Sequence, residues 1–281
     1  MKNLFSISSL LILLLTTMGS LADQPSDSTL FKTSGDPQLR SSAVMITDLD
    51  GKLIYGKNTD EIRPIASITK LMTAIVVIDA GLDMQQKITI TKDDRDLIRL
   101  TGSRLEYGAV LTREELLRLA IMSSENRAAA ALGRSYPGGT AALVTAMNKK
   151  AQQLGMQDSR FADAAGLQSG NVSTAKDLSI LVATASTYPL IKDASTTKSM
   201  TVKPYKKRGP LQYVNTNRLL KNSNWQIGLS KTGYIHEAGR CLVMQATIQG
   251  KAVSIVLLNS FGKLTPFGDS NRLMRWLTAN S

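Results

Sequence analysis

The chain has 281 residues, 43% hydrophobic, 5% aromatic and 20% charged, and is long enough to bury a sizeable core in one large domain. Its single histidine, His236, and single cysteine, Cys241, exclude a multi-histidine metal site and an intrachain disulfide framework. A formal charge of +12 favours an anionic polymer or membrane surface, but no arginine-rich run interleaved with aromatics argues for nucleic acid.

Taken from the N-terminus, Lys2, the apolar run around Leu10 to Leu15 and the small residues of Ser20-Leu21-Ala22 read as a signal peptide over residues 1–22, cut after Ala22. Its apolar run is shorter than the roughly 20 residues that span a bilayer, so a soluble protein of a bacterial periplasm is expected, with no stable membrane anchor. Residues 23–38, rich in Ser, Asp and Gly, read as a flexible leader, and residues 39–281 as the folded domain. SAVMITDLDGKLIYGKN alternates apolar and polar about Asp50-Gly51, a hairpin signal. PIASITKLMTAIVVIDAGL predicts a helix from Pro64 to Ala80, closed by Gly81 and apolar on nearly every face, hence central.

From Thr112 the pattern is helical. Thr112 to Glu115 matches a capping box, and further helices are predicted through ENRAAAALGRSY, from Thr140 to Leu154, and from Thr174 to about Ser186. QIGLSKTGY, RCLVMQATI and KAVSIVLLN then read as strands, with Gln249-Gly250 turning between the last two and Cys241 a buried strand residue. A terminal helix follows over Asp269 to Thr278. The implied class is α+β: an antiparallel sheet of about five strands from both termini, flanked by helices, with an all-helical subdomain inserted at about residues 85–215.

With one histidine, a hydrolase built on this chain needs another base. A serine hydroxyl becomes a nucleophile when a neighbour takes its proton, and a desolvated lysine amine can do so. Ser67 and Lys70, at i and i+3, share a helix face near an N-terminus whose free N–H groups favour a developing oxyanion. The spacing alone does not choose, because Ser173 to Lys176, Ser195 to Lys198 and Ser260 to Lys263 repeat it, and Ser67 could be a simple N-cap. Context favours Ser67: Ser173 and Lys176 flank a capping position, and the last two pairs lie in loop-like sequence.

Two more motifs share the ambiguity when taken singly. Ser124-Glu125-Asn126 lies between two predicted helices, but Ser169-Gly170-Asn171 also has the S-x-N form. Lys231-Thr232-Gly233 occurs once, on a predicted strand, where a glycine allows close backbone approach and its neighbours could hold a carboxylate. The order S-x-x-K, S-x-N, K-T-G resembles the signature of penicillin-binding proteins and serine β-lactamases. Through RPIASITKLMTA, MSSENRAAAAL, FADAAGL, NVSTAKDL and CLVMQATI the resemblance covers roughly residues 40–275. It is to low-molecular-mass penicillin-binding proteins of the D-alanyl-D-alanine endopeptidase type.

That resemblance implies roles. Ser67 would attack the penultimate D-alanine carbonyl of a peptidoglycan stem peptide, with Lys70 as general base and Ser124 relaying a proton to the leaving amine. Asn126 would bond the substrate's peptide amide, Lys231 and Thr232 its carboxylate, and Gly233 would leave room along the strand. The oxyanion would sit on the N–H groups of Ser67 and Tyr234. Ile235 departs from the threonine that many relatives carry, and His236 reads as an exposed loop histidine. The resemblance implies no cofactor, β-lactams as inhibitors, and cleavage of D-alanyl-meso-diaminopimelyl cross-links, since few residues follow Ser260. Alternatives are a D,D-carboxypeptidase, a β-lactamase, which would need a glutamate that Asp158 to Ser173 lacks, and a non-catalytic wall-binding module.

Overall fold

Alternation of apolar side chains between two faces organises the centre of the molecule. In a computed structural model, which describes Phe31 and residues 33–279, the hairpin near the N-terminus comprises β1 (Ala43–Asp48) and β2 (Leu53–Lys57). Its turn is held by Asp48, whose carboxylate accepts from the amides of Asp50 at 3.0 Å and Lys52 at 2.8 Å. The signal segment expected over residues 1–22 lies outside the described residues. From residue 33 onward the expected leader is docked: the Trp276 indole donates to the carbonyls of Ser34 and Gly35, both at 3.0 Å.

The helix expected from Pro64 begins later. Arg63–Pro64 form a two-residue strand, β3, then a 3-10 turn spans Ala66–Ile68, and α1 runs over Thr69–Asp79. The Ile65 amide is committed to the Asn171 carbonyl and Ala66 has φ +48°, so the α-helix cannot start there. Every residue from Thr69 to Val77 is buried, as the all-round apolar pattern requires.

Helices dominate the middle, joined by short antiparallel ladders that the sequence pattern did not mark. β4 (Lys87–Thr89) pairs with β5 (Val110–Thr112), which leads into α2 (Arg113–Met122) through the expected Thr112/Glu115 capping box. Next come α3 (Asn126–Arg134), α4 (Gly139–Gln153), and β6 (Val172–Ser173), which pairs with β3. α5 (Ala175–Ala185) is capped by Thr174, and α6 (Pro189–Thr196) precedes a ladder of β7 (Ser199–Val202) with β8 (Leu211–Val214). Ser195 therefore lies in a helix rather than the loop its sequence suggests, because Pro189 starts α6 and Ser195 satisfies its hydroxyl on the Lys192 carbonyl.

The last three strands are β9 (Gln226–Ile235), β10 (Gly239–Ile248) and β11 (Lys251–Ser260), followed by α7 (Thr265–Thr278), which starts four residues earlier than expected with Pro266 in its first turn. The sheet order is β2-β1-β11-β10-β9, all antiparallel, so strands from both ends of the chain close it. On one face Val243, Val256 and Leu258 pack with α1 and α5; on the other Leu242, Met244, Ile255 and Leu257 pack with Leu273 and Leu277 of α7. Cys241 is buried in β10, and burial pushes its thiol up to about 11. Among the described residues no helix is long and apolar enough to cross a membrane.

Candidate active site

The edge strand β9 runs past the 3-10 turn that carries Ser67, and the two are nearly in contact. A Cβ at Gly233 would lie 2.9 Å from the Ile65 carbonyl oxygen and 3.2 Å from the Ser67 amide nitrogen, so the strand reaches this depth only with glycine there. From the other side the loop after α4 presses on the same turn. A Cβ at Gly166, whose φ is +76°, would overlap the Ala66 carbonyl oxygen at 2.0 Å. Ser67 is thereby held between two backbones.

The Lys70 amine contacts the Ser67 hydroxyl at 2.8 Å, the Asn126 carbonyl oxygen at 2.8 Å and the Ala165 carbonyl oxygen at 2.6 Å. Lys70 is 1% exposed, and burial drives its pKa down to about 7, against the pull of Asp163, Glu125 and Asp96, which favour the cation. The second buried lysine, Lys231, donates to the Ser124 hydroxyl at 2.9 Å and the Thr232 carbonyl at 2.8 Å. Burial lowers it well below its ordinary value, and the nearby Lys70 charge lowers it further. Two buried cations side by side repel, so shedding a proton from the pair is favourable.

All eight residues singled out from sequence come to one place. Ser67, Ser124, Asn126, Thr232, Gly233 and Tyr234 line a cleft of about 370 Å³, and Lys70 and Lys231 stand behind its two serines. The Thr232 hydroxyl meets that of Thr216 at 2.7 Å, and the exposed Tyr234 ring carries the Arg240 guanidinium 3.6 Å from its centre. Ile235 points into the core, and His236 is exposed in the β9–β10 turn.

None of the rival pairs joins its serine to its lysine. Ser173 bonds Ser159 at 2.7 Å while Lys176 pairs with Asp60, and Ser260 bonds Ser41 at 2.8 Å. Asn171 of the second S-x-N is fully buried and braces the loop by accepting from the Ala162 amide at 2.9 Å.

Sequence reasoning missed the Ala165 carbonyl and the aspartate that aims it. Asp163 Oδ1 accepts from the amides of Ala165 at 2.7 Å and Gly166 at 2.5 Å; its Oδ2 accepts from Gln168 N at 2.7 Å and Asn171 Nδ2 at 3.1 Å. This winds D-A-A-G-L into a tight turn with Ala165 O directed at Lys70. The only signal was an aspartate three residues before a glycine. A neutral Lys70 amine has two hydrogens, which the Asn126 and Ala165 oxygens can take, leaving its lone pair toward Ser67 Oγ.

Comparison with known proteins bears on this geometry. Residues 31–262 match the D-alanyl-D-alanine carboxypeptidase family. A D-alanyl-D-alanine endopeptidase of Pseudomonas aeruginosa is 46% identical over 85% of this chain and 78% of its own length. The D-alanyl-D-alanine endopeptidase of Escherichia coli is 44% identical over 87% of this chain and 79% of its own. The crystal structure of a Streptomyces DD-transpeptidase superposes with a TM-score of 0.81 at 28% identity, covering 88% of this chain and all of that one.

Proposed function

The chain belongs to the D-alanyl-D-alanine carboxypeptidase family of serine D,D-peptidases, and from that premise we propose that it is a periplasmic D,D-endopeptidase that cuts D-alanyl-meso-diaminopimelyl cross-links in peptidoglycan. Residues 85–215 are read as a subdomain inserted in the peptidase domain. The observation that carries the reading is the Lys70 amine, 1% exposed and 2.8 Å from Ser67 Oγ. In the neutral form the amine takes the Ser67 proton as Oγ bonds to the D-alanyl carbonyl carbon. The oxyanion is received by the N–H groups of Ser67 and Tyr234. As the tetrahedral adduct collapses, the C–N bond breaks, and the proton held by Lys70 passes through Ser124 to the leaving amine. Water then cleaves the Ser67 ester.

Thr232, with Lys231 behind it, binds the carboxylate beside the scissile bond, and Asn126 bonds the peptide amide on the acyl side. β-Lactams acylate the same serine and inhibit the enzyme. Both oxygens of Asp163 are taken up by backbone amides, so the loop facing the ester has no free carboxylate there to activate water, which supports slow release and argues against a β-lactamase.

Fluorescent penicillin tests the chemistry. Ser67→Ala should abolish labelling, and retained labelling would overturn the acyl-enzyme reading in favour of a binding module. Digestion of intact sacculi tests the substrate: cross-linked muropeptide dimers should fall. Release of terminal D-alanine with dimers unchanged would assign a carboxypeptidase instead, the activity for which the family and a 33% identical Bacillus subtilis relative are named.

A further inference from the structure

An asparagine amide can turn by half a revolution with almost no change of shape, exchanging donor for acceptor. At Asn126 the two orientations have opposite consequences. With Oδ1 toward Lys70, the neutral amine gives its hydrogens to Asn126 and Ala165 and keeps its lone pair for Ser67. Turned round, the amide would put an N–H against Lys70 and compete for that lone pair.

We infer that Asp96 and Thr101 are positioning residues that lock the Asn126 amide in the first orientation. The inference rests on the acyl-enzyme reading above. Thr101 Oγ1 donates to Asp96 Oδ2 at 2.7 Å, and Asn126 Nδ2 donates to Thr101 Oγ1 at 2.9 Å. A carboxylate only accepts, so the single hydroxyl hydrogen of Thr101 is committed to Asp96. The hydroxyl then has only a lone pair for Asn126, which must present its NH₂ there and its oxygen to Lys70. The direction of each bond dictates the next from Asp96 to Ser67, and the second amide hydrogen of Asn126 remains for substrate.

The surroundings keep this arrangement fixed and Asp96 ionised. Burial pushes the Asp96 carboxyl up, but the amides of Arg99, Thr101 and Ile98 and the Thr101 hydroxyl together hold it below its ordinary 3.8. Arg99 moors the segment across the cleft, donating to Leu167 O at 2.7 Å and pairing with Glu237 at 2.9 Å. The charges that face Lys70 are Asp163 from the loop after α4, Glu125 capping α3, Asp96 itself, and Lys231 on β9.

The test is the second-order rate of acylation by a fluorescent penicillin across pH, for the unsubstituted chain, Thr101→Val and Thr101→Ser. The unsubstituted chain should show an acid limb near pH 7 set by Lys70. Valine at this exposed position keeps the shape but frees the amide. The plateau should fall by at least about tenfold, and the limb should move to lower pH because an N–H aimed at Lys70 favours its neutral form. Serine keeps the hydroxyl and should restore both to within about twofold, on the same hydrogen-bonding ground. An unchanged rate in Thr101→Val overturns the proposal. So does a loss with the limb unmoved, which marks simple packing, or a serine variant that fails to recover. Unfolding midpoints verify that each variant is folded. Should the valine variant not fold, Thr101→Ala takes its place: it removes the hydroxyl that Asn126 and Asp96 share without changing any charge facing Lys70, and must move the limb the same way. A complete absence of labelling in the unsubstituted chain would instead sink the acyl-enzyme reading itself.

Discussion

Replacing Lys70 with methionine should flatten the rise of stability with pH. In the unfolded chain the amine keeps its ordinary value of 10.5, and in the folded protein it is held at about 7, chiefly by burial. Below about pH 7 both states carry the proton, and the folded state bears the full cost of a buried cation. Between about 7 and 10.5 the unfolded chain binds more protons, so stability climbs with pH; above 10.5 the gain is complete. At about 1.4 kcal/mol for each tenfold change, the span from 10.5 to about 7 amounts to roughly 5 kcal/mol. Methionine has nearly the same volume and no charge, but it strands the Asn126 and Ala165 oxygens at about 1–3 kcal/mol each, so the absolute change at one pH is not diagnostic. The slope is. Urea unfolding at pH 6, 8 and 9.5 should give curves for the two proteins that diverge by several kcal/mol toward acid, with the variant favoured. Parallel curves would refute the depressed amine.

Gly233→Ala should slow penicillin acylation by roughly 10- to 100-fold while leaving the far-ultraviolet circular dichroism unchanged, because the added methyl crowds the Ser67 amide, part of the proposed oxyanion site. Asp163→Asn should cost about 3 kcal/mol in denaturant unfolding, since an NH₂ faces amides that a carboxylate had satisfied. The same change removes the strongest attraction holding the proton on Lys70, so the acid limb of acylation should move to lower pH.

What could be read from sequence, and what could not, divides along a physical line. Ser67, Lys70, Ser124, Asn126 and the Lys231-Thr232-Gly233 strand carry chemistry in their side chains, and their order along the chain was enough to bring them together on paper. The Ala165 carbonyl could not be found in that way, because every residue has a carbonyl and only the turn wound around Asp163 directs this one. Thr101 and Asp96 were invisible for a similar reason: a threonine and an aspartate in a polar loop announce a turn, and their relation to Asn126 exists only in three dimensions. In the fold, period-two alternation marked β1 and β2, and strand-like runs with a Gln249-Gly250 turn marked the last three strands. The two- to four-residue ladders are too short to show a period, and the break at Ala66 depends on a positive φ that nothing about alanine foretells.

The closing of the sheet has a temporal meaning as well. β11 lies between β1 and β10, and Ala43 faces Leu258 across that junction. A chain delivered from its N-terminus holds the nucleophile and its lysine early, as a serine and an amine on an unsupported helix. The strand bearing Lys231, Thr232 and Gly233 arrives in the last fifth of the chain, and its ladder pairing runs through β10 and β11 back to β1. Until those last strands are in place, the cleft has only the wall that carries Ser67, Lys70, Ser124 and Asn126. One half of the site is thus local to the helices, and the other half waits for the sheet to close.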